Sequence, residues 1–166
     1  LLAVAEEARW AQVQAGALVP DAALTVLALL DARMDEVYSA AYHWEPVSGA
    51  SHGRWQEAAP LQVGAPEKLH MPNDRLVLQA GNAFAAYGDR LPHVAPGGLR
   101  CEALPTAAAL LRLAPALWAQ GLAVPAEQAM PLYIRDKVAN TTAEREVMKA
   151  QAVEAKAALS KDAAQP

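Results

Sequence analysis

Clustered basic residues are what this sequence most clearly lacks. Its 14 lysines and arginines are outnumbered by 18 acids, for a net charge of −4 and a pI near 5.5. Affinity for nucleic acid rests largely on a concentrated Lys/Arg surface that neutralises phosphates, so direct nucleic-acid binding is disfavoured. Cysteine is almost absent too. Cys101 stands alone and cannot close an internal disulfide; it fits a reducing cytoplasm as a small, buried or half-buried hydrophobe. Aromatics make up only 5 % of the chain, with a single phenylalanine. The core must therefore come from Leu, Val and Ala, and alanine, about a quarter of all residues, buries little area per side chain.

No apolar run is long enough to span a membrane. The most apolar window, Thr106–Val124, carries Arg112, Pro115, Gln120 and Gly121, and reads as a core helix with a kink and a stop. Nor is there a signal peptide: the first residues have no basic region, and Glu6, Glu7 and Arg9 interrupt the apolar pattern. The chain opens on Leu1-Leu2-Ala3 without methionine and reads as a fragment whose N-terminal portion is missing.

Catalytic grammar is equally sparse. His43, His52, His70 and His93 share no metal-ligand spacing. Gly81-Asn82 and Gly97-Gly98 have neither the Walker nor the dinucleotide-loop pattern and read as turns. No serine sits in a nucleophile elbow. Trp10, Trp44, Trp55 and Trp118 read as core or half-buried packing residues, because no basic residues are interleaved among them to favour base stacking. The sequence thus assigns no catalytic residue, no metal ligand and no cofactor.

What is present is a regular alternation of elements. Leu1–Ala15 has helical spacing and a stop at Gly16; Leu18–Ala23, with Pro20 and Asp21, is a linker. Leu24–Leu30 is a continuous apolar run, as in a strand covered on both faces. Glu36–Trp44 alternates, with Val37, Ala41 and His43 on one side and Tyr38, Ala40, Tyr42 and Trp44 on the other. Ala32–Asp35 turns between them. Glu45–Gly53 is a second turn, and Arg54–Val63 returns as a third strand. Ala65–Asp74 is a loop or a single helical turn. Arg75–Ala80 is a fourth strand, Ala83–Asp89 a short helix, and Leu99–Ala103 a fifth strand. Pro105–Gln120 is a helix with Pro105 at its first position and Gly121 at its stop. Pro131–Asp136 is extended, and Thr142–Leu159 a polar, alanine-rich helix that frays over Ser160–Pro166. The order α-βββ-α-β-α-β-α with a helical tail predicts an α/β fold: one actin-like (RNase H-like) lobe, a mixed sheet flanked by helices, over residues 1–141, followed by a partly frayed tail over 142–166.

Charge is densest at the first turn, where Asp31, Arg33, Asp35 and Glu36 fall together. Carboxylates at strand ends can hold a metal or phosphate. Aspartate in turns more commonly bonds its own backbone, however, and Arg33 has adjacent acids to pair with. Turn chemistry is therefore preferred, with Arg33 also suited to bidentate pairing across an interface. Arg135-Asp136-Lys137 reads as solvated charge, or as a docking point for another lobe.

Taken in order, Asp31-Ala32-Arg33, Glu36-Val37-Tyr38, Val77–Gly81, Leu104-Pro105 with its alanine-rich helix, and Pro131, Tyr133 and Arg135 resemble the C-terminal lobe of the TsaB (YeaZ) family. The likeness runs from about Leu1 to Arg145. It implies an inactive paralogue within the glycoprotease-like superfamily: a cytoplasmic, non-catalytic scaffold supporting a TsaD-like enzyme, with a TsaE-like ATPase, in threonylcarbamoylation of tRNA adenosine 37. On this likeness Asp31, Arg33, Glu36, Tyr38, Tyr133 and Arg135 are candidates for interlobe or subunit contacts, and a homodimer is an open possibility. The alternative is a lobe of an actin-like kinase or of a glycoprotease-type metallopeptidase.

Overall fold

The computed structural model describes residues 1–47, 53–72, 77–94 and 96–135. The chain divides into two compact units, Leu1–Ile134 and Arg135–Pro166. The expected boundary at 141/142 and the expected tail helix both lie outside the described residues, as do Arg75 and His52.

A five-stranded mixed sheet organises the first unit, in the order β3-β2-β1-β4-β5. The strands are β1 (Leu24–Arg33), β2 (Glu36–Glu45), β3 (Arg54–Gly64), β4 (Val77–Gly81) and β5 (Leu99–Glu102). β1 pairs antiparallel with β2 and parallel with β4, β2 pairs antiparallel with β3, and β4 parallel with β5. Being central, β1 is covered on both faces, which is why Leu24–Leu29 is buried without a break and the sequence does not alternate there.

Helix α1 (Leu2–Gln14) and helix α3 (Ala107–Ala119) flank the sheet on one side. Val4, Ala5 and Ala8 of α1 pack on Val26, Ala28, Leu78 and Ala80. Alanines at 5, 8, 28 and 80 are at most 2 % exposed and let helix and sheet approach closely; a leucine at any of them would overpack the layer by about 1–3 kcal/mol. α1 ends as its sequence implies: Gly16 takes φ 69°, and Ala17 and Leu18 donate back to the Gln12 carbonyl. The opposite face of the sheet is covered by the short helix α2 (Phe84–Tyr87) and the 3-10 turn Gly88–Arg90, with Ala83, Tyr87 and Leu91 against Leu27, Leu29, Val37 and Ala41. The two faces read from β2 are thus those observed: Tyr42 and Trp44 toward α1, Val37 and Ala41 toward α2.

β3 is an edge strand interrupted by register shifts opposite Ser39–Ala41 and Ala41–Tyr42. Pro60 falls in this irregular stretch, where its missing N–H costs no ladder bond and where bulging discourages edge-to-edge pairing.

Two expectations need correction. Pro105 is not the first residue of α3. The N-cap is Thr106, whose hydroxyl accepts from the Ala109 N–H at 3.0 Å, so Pro105 precedes the cap. Trp118 is not a packing residue but is 76 % exposed, because Ala109 and Leu113 form the buried stripe of α3. Of the segment expected to be extended, Pro131–Asp136, residues 131–135 are described and are neither helix nor paired strand. Among the described residues no helix is long and apolar enough to cross a membrane.

Candidate functional site

The charged corner is built by the hairpin that closes β1 on β2. Arg33 faces Glu36, with a register shift between Asp31 and Arg33, so the turn proper is Met34-Asp35. Both take left-handed backbone angles, φ 54° and 64°, and Arg33 takes 61°. Such a two-residue turn needs positive φ at both central positions to match strand twist, and here non-glycine residues supply it. Left-handed L-residues cost about 1–2 kcal/mol each, so the corner must be held by its surroundings.

Asp31 is the first brace. Its Oδ1 accepts the Arg33 backbone N–H at 2.8 Å and lies 2.8 Å from the Tyr87 hydroxyl, while Oδ2 lies 3.1 Å from Arg33 Nη1. The Arg33 N–H, then the Tyr87 hydroxyl, then the Arg33 charge hold the Asp31 carboxyl below its ordinary pKa. Tyr87 also approaches the Glu36 carbonyl at 2.9 Å, sharing one proton between two acceptors across the hairpin. Burial, with the hydrogen bond to Asp31, pushes the Tyr87 phenol up. From below, the Asp31 N–H donates to Asn82 Oδ1 at 2.9 Å.

Arg90 is the second brace. It grips Asp35 with both Nη atoms, at 2.6 and 2.8 Å, and donates its Nε–H to Glu67. The guanidinium lowers the pKa of both carboxyls and is itself held charged by them. Its plane also lies 5.8 Å from the centre of the Tyr87 ring.

Asn82 reaches Asp31 because of Gly81. There φ is +146°, and a β-carbon would stand 1.7 Å from the Leu29 carbonyl oxygen. Only glycine allows β4 to end this close to β1. The ends of the parallel strands β1 and β4 are thereby tied, the position at which open α/β sheets generally place their sites.

Asp31, Arg33 and Glu36 therefore share one corner. Their acids are turned to different donors, however: Asp31 to Tyr87 and Arg33, Asp35 to Arg90. Among the described residues no group of three or more His, Cys, Asp or Glu could hold a metal ion. Arg33 projects with 85 % of its side chain exposed. Tyr38 is half-buried opposite Leu30 and Val63, two to three residues along β2 from the turn. Tyr133, 87 % exposed, lies in the irregular segment beyond α3, and Arg135 begins the second unit. Sequence reasoning missed Glu67, Tyr87 and Arg90, which come from two segments remote in sequence from the hairpin, the Pro66–Lys68 turn and the continuous Phe84–Arg90 stretch. The one available signal was Gly81-Asn82 directly after a strand.

No family model matches the chain, and no curated protein does. Solved structures do. An uncharacterized protein with similarity to peptidase YeaZ, from Pseudomonas aeruginosa, is 36 % identical with a TM-score of 0.59, over 80 % of this chain and 56 % of that one. YeaZ from Pseudomonas aeruginosa is 36 % identical with a TM-score of 0.58, over 78 % of this chain and 55 % of that one. The chain thus spans little more than half the length of these neighbours, and they support a YeaZ-like family for it.

Proposed function

We propose that this chain is the C-terminal lobe of a YeaZ (TsaB) type scaffold, which works by holding partner proteins and performs no bond chemistry of its own. The observation that carries this is the state of the corner. Asp31 and Asp35 are engaged by Arg33, Tyr87 and Arg90, while Arg33, paired to Asp31 through one Nη, keeps most of its side chain exposed on a backbone that its neighbours hold. A guanidinium tethered at one side and exposed on the other suits pairing with a carboxylate on another protein surface. Acids already bound to donors are poorly placed to bind a metal or to take a proton from substrate.

On this reading the partner is a TsaD-like catalytic subunit, assisted by a TsaE-like ATPase, in the threonylcarbamoylation of tRNA adenosine 37 in the cytoplasm. Arg33, Glu36 and Tyr38 serve one contact surface; Tyr133 in the first unit and Arg135 in the second are further contact residues. The similarity to YeaZ supports the family; the specific role follows from the resemblance of the corner and of the Pro131, Tyr133, Arg135 segment to TsaB proteins.

The test is co-purification of this chain, as wild type and as Arg33→Glu, with a TsaD-like subunit, followed by calorimetry. Charge reversal should weaken binding at least tenfold while leaving the circular dichroism unchanged. Equal binding by both proteins would remove Arg33 from the interface. One neighbour's name, similarity to a peptidase, favours a hydrolytic second reading. Peptidase turnover by the purified chain that is lost in Asp31→Asn would replace the scaffold with that enzyme.

A further inference from the structure

Helix α3 carries a single charged side chain, Arg112, and turns it inward. Its guanidinium meets Glu6 and Glu7 of α1, and Arg9 and the Trp55 indole N–H reach the same Glu6 carboxylate. Ala109 and Leu113 complete the buried side. The outer side therefore has no charge to offer water. Ala107, Leu110, Leu111, Ala114, Pro115 and Trp118 are all exposed there, with Leu110, Leu111 and Trp118 at 58, 74 and 76 %. A surface helix ordinarily turns polar residues outward, and one that is apolar all round is ordinarily covered. Single exposed leucines need no explanation, whereas a contiguous apolar face marks an interaction surface.

The order of residues on this face says what covers it. Ala107, Leu111, Ala114 and Trp118 follow one another at four, three and four residues, the spacing of a seam between two packed helices, with Leu110 and Pro115 flanking it. Small and large side chains alternate along the seam. Laid antiparallel on a second copy, about a two-fold axis midway between Leu111 and Ala114, Trp118 meets the partner's Ala107 and Leu111 meets the partner's Ala114. Each large side chain then faces a small one, and the two-fold repeats the match in reverse, as a self-complementary interface requires. A parallel pair would set tryptophan on tryptophan and alanine on alanine, crowding one end and leaving a void at the other.

We infer that the outer face of α3 is a self-association surface, through which two copies of the chain pair by antiparallel packing of α3 on α3. The helix is about 20 Å long, so the contact falls among the small interfaces, under about 1,200 Å² in total, and the dimer should dissociate at about 10–100 μM.

Sedimentation velocity of the full chain over a concentration series reads the association directly. Wild type should pass from monomer to dimer. Leu111→Glu, at a position exposed in the monomer, should weaken pairing by about tenfold or more with an unchanged circular dichroism spectrum. Ala107→Trp separates a specific seam from undirected adhesion. It makes the face more apolar, yet it should weaken pairing by about tenfold, because the partner's Trp118 already takes that place. Combining Ala107→Trp with Trp118→Ala sets one large residue against one small again and should restore wild-type association. A chain that stays monomeric at every concentration leaves the face to a different protein and overturns the inference. Undiminished pairing in Leu111→Glu, tighter pairing in Ala107→Trp, or no recovery in the double variant overturns it as well.

Discussion

Gly81→Ala is the sharpest test of how the corner is held. A β-carbon at this position would stand 1.7 Å from the Leu29 carbonyl oxygen and 2.6 Å from its carbonyl carbon, whereas ordinary contact begins near 3.4 Å. The obstacle is backbone, so no side chain can rotate aside. Either β4 retreats from β1 by more than an ångström or φ leaves +146°. Retreat stretches the bond that crosses the gap, Asn82 N–H to Leu29 O at 3.1 Å. One lost bond at about 1 kcal/mol, with about 1–3 kcal/mol of backbone strain, gives a destabilisation of about 2–4 kcal/mol. For a chain of this size that is a fall in Tm of about 10 °C. Urea unfolding with calorimetry measures it. Gly64→Ala is the control, because nothing lies within 4 Å of its β-carbon and its φ is not left-handed; it should change stability by less than about 0.5 kcal/mol. If Gly81→Ala costs less than about 1 kcal/mol, the close approach of β4 to β1 is not what seats Asn82 under Asp31, and the account of the corner fails.

Other perturbations probe the same corner and the helical layer. Asp31, Asp35 and Glu67 have depressed folded-state pKa values, so the stability they contribute is present above their ordinary carboxylate range and is lost as pH falls through the folded values. Arg90→Met should therefore flatten the acid limb of a stability–pH profile below about pH 4, and an unchanged limb would rule out Arg90 as its source. Met34→Asn places a residue tolerant of left-handed angles in the turn and should raise stability by about 0.5–1 kcal/mol in the same urea assay, with a decrease counting against a strained turn. Glu6→Gln leaves Arg9 buried without its counter-charge and should cost about 3–5 kcal/mol by urea unfolding; a cost near zero would mean that water already reaches this cluster.

Much of the sheet was legible because its patterns are local. The unbroken apolar run of Leu24–Leu30 marks a strand covered on both faces, and the alternation from Val37 to Trp44 separates two faces that the structure keeps apart. Gly16 and Gly121 announce helix ends and take φ 69° and 71°. The charged hairpin was legible as a turn for the same reason. Its braces were not. Tyr87 lies 56 residues from Asp31 and Arg90 lies 55 from Asp35, and neither has a spacing that periodicity could detect. The α1–α3 charge cluster was hidden differently. Glu6, Glu7 and Arg9 look like a solvated face, and only the approach of Arg112 and Trp55 turns that face inward.

These two polar clusters solve one problem in two ways. A core rich in alanine buries little area, so its layers are positioned as much by directional contacts as by apolar burial. On the α1 side Arg9, Trp55 and Arg112 close on the saturated carboxylate of Glu6, and Arg112 also reaches Glu7. On the α2 side Tyr87 and Arg90 close on Asp31 and Asp35, while Arg33, paired to Asp31, lies largely exposed. Screening acts mainly on exposed charges, so raising ionic strength should weaken the exposed Arg33–Asp31 pair more than the buried Glu6–Arg9 pair.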